Sequence, residues 1–174
     1  MPAPYVVLGI ILLVTIMSGV PYLIASGDAR RPVQEELRTT LQLPPSTTLA
    51  DLQEARVLEV VDGDTIHAEL DGKVVSVRYF GINTPERGDR CYREAADRNE
   101  TLVGQRVLLL PDTRDKDRGG RLLRYIFLQD GTSVDATLVA EGFAHAWRED
   151  GRYRSQLLSV EEEARDAGRG CLWR

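Results

Sequence analysis

Residues 60–86 read VVDGDTIHAELDGKVVSVRYFGINTPE. Two alternating runs, Thr65–Leu70 and Val74–Phe80, flank the pair Asp71-Gly72. Alternation at period two predicts strands, and Asp-Gly supplies the positive φ angles that a two-residue hairpin turn requires. A hairpin reverses the chain, so the start of its first strand and the end of its second meet at one edge. Asp64, Asn83 and Glu86 are therefore expected close together, with Arg78 about two pleats back along the second strand. Clustered oxygen ligands beside an arginine suit a hard cation handling a phosphate.

The hairpin sets the reading of its neighbours. Arg56–Val61 reads as a preceding strand, and Arg90–Val103 as a helix with charge on one face. Arg106–Leu110 is a short apolar strand expected to stop at Pro111, and a polar loop, Asp112 to Gly120, leads to a strand over Arg121–Gln129. Val134–Glu141 reads as a helix closed by Gly142 as an αL cap, and Ser155–Ala167 as a last helix closed by Gly168 and Gly170. Five short strands with inserted helices predict a small, mainly β, α+β barrel with helices outside it. Several α+β folds share that element order.

The N-terminal part has a different character. Tyr5 to Ala25, YVVLGIILLVTIMSGVPYLIA, is uncharged and mostly aliphatic, close to the roughly 20 residues that span a bilayer. Tyr5 and Tyr22 near its ends fit interfacial anchoring. Residues 1–27 are read as a membrane anchor, with a cleaved signal peptide ending near Ala25-Ser26-Gly27 as the alternative. Residues 28–53 read as a linker, with a short helix over Gln34–Leu43 broken by Pro44-Pro45. The folded domain is then 54–174.

Composition bounds the function only loosely. Over 174 residues the net charge is −5, and aromatic residues make up 6%. An acidic chain lacks the basic footprint usual in nucleic-acid binders, although a local cationic site or a bound metal can supply it. Two cysteines, Cys91 and Cys171, cannot alone form a structural zinc site. They are either separate buried thiols or a disulfide tying the domain's first helix to its C-terminal tail, which an oxidising compartment favours.

VVDGDT, then VRYFGINTPE, then DKDRGGRLLRYIF at residues 115–127 resemble the staphylococcal nuclease (thermonuclease) family. The three motifs stand in family order at family-like spacing, and the resemblance covers about residues 55 to 173. It implies a five-stranded OB-fold barrel with about three helices and a calcium-dependent endonuclease that cuts DNA and RNA to leave 3′-phosphates. Asp64 and Asn83, with the backbone carbonyl of Thr84, match the family's calcium ligands. Glu86 matches the carboxylate that serves the attacking water, and Arg78 and Arg121 match the two phosphate-binding arginines. The chain departs from the family at Asn83, where aspartate is usual, which removes a ligand charge and predicts weaker calcium binding. It also has Gly119 where an aromatic often stands. The enzyme is expected to be monomeric.

Each of these residues has a plainer reading. Asp62-Gly63-Asp64 alone is a turn, Asn83 tolerates a turn before Thr84-Pro85, Glu86 is solvated surface, and strand arginines are usually ion-pair partners. His67 and His145 have no metal-motif spacing and read as structural or surface residues; Trp147 and Trp173 read as core or lid contacts. Membrane orientation is contested. Arg30 and Arg31 after the apolar run place the domain in the cytoplasm by the positive-inside rule, whereas the cysteine pair and a largely secreted family place it outside. The balance falls outside. The competing function is a non-catalytic OB-fold that binds single strands or a protein. Few aromatics and an acidic balance count against it, and carboxylates among phosphate-binding arginines favour chemistry.

Overall fold

The computed structural model describes residues 41–174. The expected anchor at 1–27 and the first part of the expected spacer lie outside the described residues, as does most of the short helix over Gln34–Leu43. Among the described residues no helix is long and apolar enough to cross a membrane. Within the rest of the spacer stretch, Leu41 and Leu52 are buried in the core, and Tyr153 Oη donates to the Gln42 carbonyl at 2.8 Å.

Five strands form a closed barrel in the order β1 (Gln53–Val60), β2 (Thr65–Leu70), β3 (Lys73–Tyr79), β6 (Leu122–Phe127) and β5 (Arg106–Lys116). All pairings are antiparallel except β3 with β6, an arrangement that fits the OB-fold. The β2–β3 hairpin turns at Asp71 and Gly72, with φ of 51° and 74°, as the Asp-Gly pair predicts. Short strands β4 (Ile82–Asn83) and β7 (His145–Ala146) pair with each other outside the barrel, Asn83 facing His145. Three helices complete the domain: α1 (Tyr92–Val103), α2 (Val134–Ala140) and α3 (Arg154–Asp166).

One strand is longer than its sequence indicates. β5 runs through Pro111 to Lys116 instead of stopping at the proline, and takes in half of the expected loop. Its pairing to β1 covers only Arg106 to Leu109, while Pro111 still faces Arg124 of β6. Proline is tolerated where its missing N–H faces no neighbouring strand.

Alternating positions on one face of the barrel are fully buried: Ile66 and Ala68 of β2, Val77 and Tyr79 of β3, Val107 and Leu109 of β5, and Ile126 of β6, which faces Leu109. Tyr125, on the other face of β6, packs against Phe80 and Tyr153. Every residue of α2 is buried, and Ser133 caps its start by accepting from the Ala136 N–H at 3.2 Å. Fully buried Asp135 in its first turn ties the helix to two other elements, accepting from the Ile126 N–H at 2.8 Å and the Gly81 N–H at 3.3 Å. Burial raises its carboxyl to about 7, against the lowering effect of those N–H bonds.

A carboxyl raised on folding favours the folded state fully below its unfolded pKa and loses that contribution as pH rises through the folded value. Wild-type stability relative to Asp135→Asn should therefore fall between about pH 4 and pH 7, by up to about 1.4 kcal/mol per pH unit, and level off above. Urea unfolding of both proteins across that range checks this; a difference independent of pH would refute it.

Candidate active site

The hairpin positions the first half of the site. Asp64 ends the turn before β2, where its N–H donates to Asp62 Oδ1 at 3.0 Å. Asn99 of α1 steadies the same turn, donating from Nδ2 to the Asp62 carbonyl at 2.9 Å and accepting from Tyr79 Oη at 2.8 Å. Asp64 Oδ2 accepts from the Thr84 N–H at 2.7 Å and from Thr84 Oγ1 at 3.1 Å. The two ends of the hairpin are thus bonded directly. Gly63 permits this, because a Cβ there would lie 2.7 Å from Thr84 Cγ2.

Arg78 faces Thr65 across the hairpin and reaches further than its expected place two pleats back. Its Nε lies 3.1 Å from Asp64 Oδ1 and its Nη2 donates to Asn83 Oδ1 at 2.9 Å. Its Nη1 donates to the Ile82 carbonyl at 2.8 Å and also to the Tyr79 carbonyl. The guanidinium therefore bridges the two side-chain oxygens expected to face a metal. Burial pushes the Asp64 carboxyl up, and Arg78 and the Thr84 N–H offset this only in part.

Arg121 approaches from just ahead of β6, the strand beside β3. The parallel register sets Arg78 opposite Leu123, which carries the start of β6 to the site. Asp117, which the sequence reading did not single out, positions Arg121: its Oδ1 accepts the Arg121 N–H at 2.9 Å and its Oδ2 accepts Nε at 2.6 Å. Burial would raise the Asp117 carboxyl, but these bonds and the Gly119 N–H hold it below its usual value. An Asp four residues before Arg across a Gly-Gly turn was the available signal.

Asp64, Arg78, Asn83, Glu86 and Arg121 all line one cavity of about 280 Å³. Thr84 is buried and turns its N–H and hydroxyl to Asp64; it does not line that cavity. Arg114, Phe80 and Trp147 do line it, and sequence reasoning missed the first two. The Arg114 guanidinium lies 4.9 Å from the Phe80 ring centre and donates to Asp150 through Nε at 2.5 Å and Nη2 at 2.8 Å. Trp147 Nε1 donates to the same carboxylate at 2.9 Å. Their distance in sequence hid this group. His67, near Glu59, and His145, bonded to Glu161 at 3.0 Å, lie outside the cavity lining.

The donors a divalent ion could take here are oxygens: the Asp64 carboxylate and the Asn83 amide oxygen, both contacted by Arg78, and the carbonyl of Thr84, which stands outside the cavity lining. That chemistry fits a hard cation, and a carboxyl whose burial is only partly offset gains from added positive charge. Asn83 lowers the charge count. Among the described residues no group of three or more His, Cys, Asp or Glu side chains is placed to hold a metal ion, so backbone and amide oxygens would have to complete the shell.

The sequence matches the model of the family described as staphylococcal nuclease homologue over residues 76–174. The SPbeta prophage-derived endonuclease YokF of Bacillus subtilis is 36% identical over 126 residues, which cover 66% of this chain and 42% of that protein. Endonuclease YncB of the same organism is 35% identical over 133 residues, 70% of this chain and 63% of that one. The thermonuclease of Staphylococcus hyicus is 34% identical over 124 residues, 66% and 73% of the two chains. The chain thus spans less than two thirds of the length of either Bacillus protein.

Gly63→Ala forces Thr84 away from Asp64 and should destabilise the domain by about 1–3 kcal/mol. The shift in urea midpoint measures it; an unchanged midpoint would show that the Asp64–Thr84 contact accommodates a methyl group.

Proposed function

The chain belongs to the staphylococcal nuclease family, and from that premise we propose that it is a calcium-dependent phosphodiesterase, an endonuclease that hydrolyses DNA and RNA and leaves 3′-phosphates. The observation that carries this reading is the convergence of Arg78 and Arg121 on the cavity that Asp64, Asn83 and Glu86 also line. A pure binding module gains nothing from carboxylates beside its phosphate-binding cations, since they repel the ligand.

The roles follow from chemistry. Attack of water on a phosphodiester builds charge on the equatorial oxygens, and two guanidiniums can hold those oxygens while staying charged at any working pH. Asp117 keeps the Arg121 fork aimed by binding its N–H and Nε. Exposed Glu86 at the cavity rim takes the proton of the attacking water. Asp64, Asn83 and the Thr84 carbonyl would hold the ion, which when bound supplies positive charge against the phosphate. The named groups address backbone phosphate rather than base edges, so sequence selectivity is low.

The proposal extends to a monomer attached to the membrane through residues 1–27, with 28–40 as spacer, since Leu41 and Leu52 already pack in the core, and with the nuclease domain outside the cytoplasm. The Cys91–Cys171 disulfide supports that compartment, since such bonds persist in oxidising surroundings.

Hydrolysis of single-stranded DNA by the full chain in non-ionic detergent, with calcium titrated against magnesium and EDTA, tests the reading. Calcium-dependent cleavage to 3′-phosphates is expected, with Arg121→Ala lowering kcat by about 100-fold or more. Binding without turnover at saturating calcium would make the protein a non-catalytic module. Asn83→Asp should tighten calcium about tenfold in calorimetry by restoring a ligand charge; equal affinities would remove Asn83 from the metal site.

A further inference from the structure

We propose, resting on the nuclease reading above, that the Cys91–Cys171 disulfide positions the segment bearing Glu86, so that reduction switches the nuclease down while the barrel stays folded. The segment from Pro85 to Arg90 is mostly exposed. Its internal hydrogen bonds form one turn: the Glu86 N–H donates to Asp89 Oδ2 at 3.2 Å and the Asp89 N–H to the Glu86 carbonyl at 2.9 Å. Its ties beyond α1 run to the C-terminal tail, through the disulfide and through Arg90 Nη2, which donates to the Arg174 carbonyl at 2.5 Å. Cys91 itself is buried, has a φ of 77°, and gives α1 no side-chain cap.

The tail is a firm partner. The Leu172 N–H donates to the Gly142 carbonyl at 3.2 Å, and the Trp173 ring packs edge-on to His145 at 5.2 Å. Gly142 and Gly170 approach so closely that a Cβ on either would strike the backbone of the other's segment. His145 pairs with Asn83. The corner that fixes the upstream end of the Glu86 segment through β4–β7 thus also fixes its downstream end through the disulfide.

The rest of the fold does not need this bond. α1 is held by Asn99 on the Asp62 turn and by Arg98, which grips Glu141 at 2.5 and 2.7 Å. Reduction therefore frees the 85–91 segment and leaves Asp64, Arg78 and Arg121 in place. The step is thiol–disulfide exchange. A dithiol reductant gives two electrons and two protons, the Cys91–Cys171 bond breaks to two thiols, and the reductant becomes a disulfide. Cys171 is only partly buried, and Arg87, Arg90 and Arg93 line a cavity with Cys91, where cations favour the leaving thiolate. In a reducing cytoplasm the enzyme is held at low activity, and it gains full activity only where the bond forms.

The test compares oxidised full chain, the same protein reduced with dithiothreitol, and Cys91→Ser/Cys171→Ser. Cleavage kinetics and amide hydrogen exchange are read together. Reduction should lower kcat about 10- to 100-fold with little change in KM, and speed exchange over residues 85–91 but not in β2, β3 or β6. The double variant should show the reduced kcat with or without dithiol, and reoxidation should restore the wild type. Equal kcat in both redox states, or loss of protection throughout the barrel, overturns the proposal. If the oxidised chain cleaves nothing, the nuclease reading fails by itself, and exchange decides alone: unchanged protection over 85–91 then overturns the positioning role.

Discussion

The Asp64 carboxylate is the contact on which the site depends. One of its oxygens takes the Thr84 N–H and hydroxyl and the other faces Arg78, so a single group joins the entrance of β2, the exit of β4 and the arginine of β3 between them. Burying a carboxylate is costly unless it is hydrogen-bonded and paired. That cost explains why its surroundings are so closely specified: glycine at position 63, Asn99 reaching from α1, and threonine at 84 each hold the carboxylate or the turn that carries it.

How much of this was legible in the sequence depended on the range of the interaction. The hairpin and its turn are local, written in alternation and in Asp71-Gly72, and they place Asp64, Asn83 and Glu86 at one edge. The continuation of β5 through Pro111 was not legible, because it depends on which neighbour lies on the proline's N–H side. The β4–β7 ribbon escaped for a similar reason: two-residue strands carry no periodicity. Arg78 appeared as a strand residue pointing at the site, but its grip on both Asp64 and Asn83 is a matter of side-chain reach. The Arg114–Asp150–Trp147 group needed tertiary structure to be recognised, whereas Asp117 stands only four residues before Arg121 and was legible in the local sequence.

The acidic composition also becomes intelligible. Each arginine lining the cavity has its own carboxylate: Arg78 with Asp64, Arg114 with Asp150, Arg121 with Asp117. Such pairing fixes guanidinium direction before a ligand arrives, which lowers the entropy lost on binding. It also cancels most of the local charge, so neither net charge nor basic clustering reveals an anion site. Beyond a Debye length of about 8 Å at physiological salt, the overall negative charge matters little to an approaching phosphate.

The barrel's closure has a consequence for the order in which the molecule acquires its chemistry. The β2–β3 hairpin is local and can form as soon as it is made, bringing Asp64 and Arg78 together. The pairings β3–β6 and β1–β5 join segments far apart along the chain, and such high-contact-order closure is slow. Arg121 lies just ahead of β6, so it reaches the cavity only when those distant strands dock. A chain that has formed the hairpin but not yet docked β6 therefore holds Asp64 and Arg78 without Arg121, and the full set of cavity charges waits on the β3–β6 pairing.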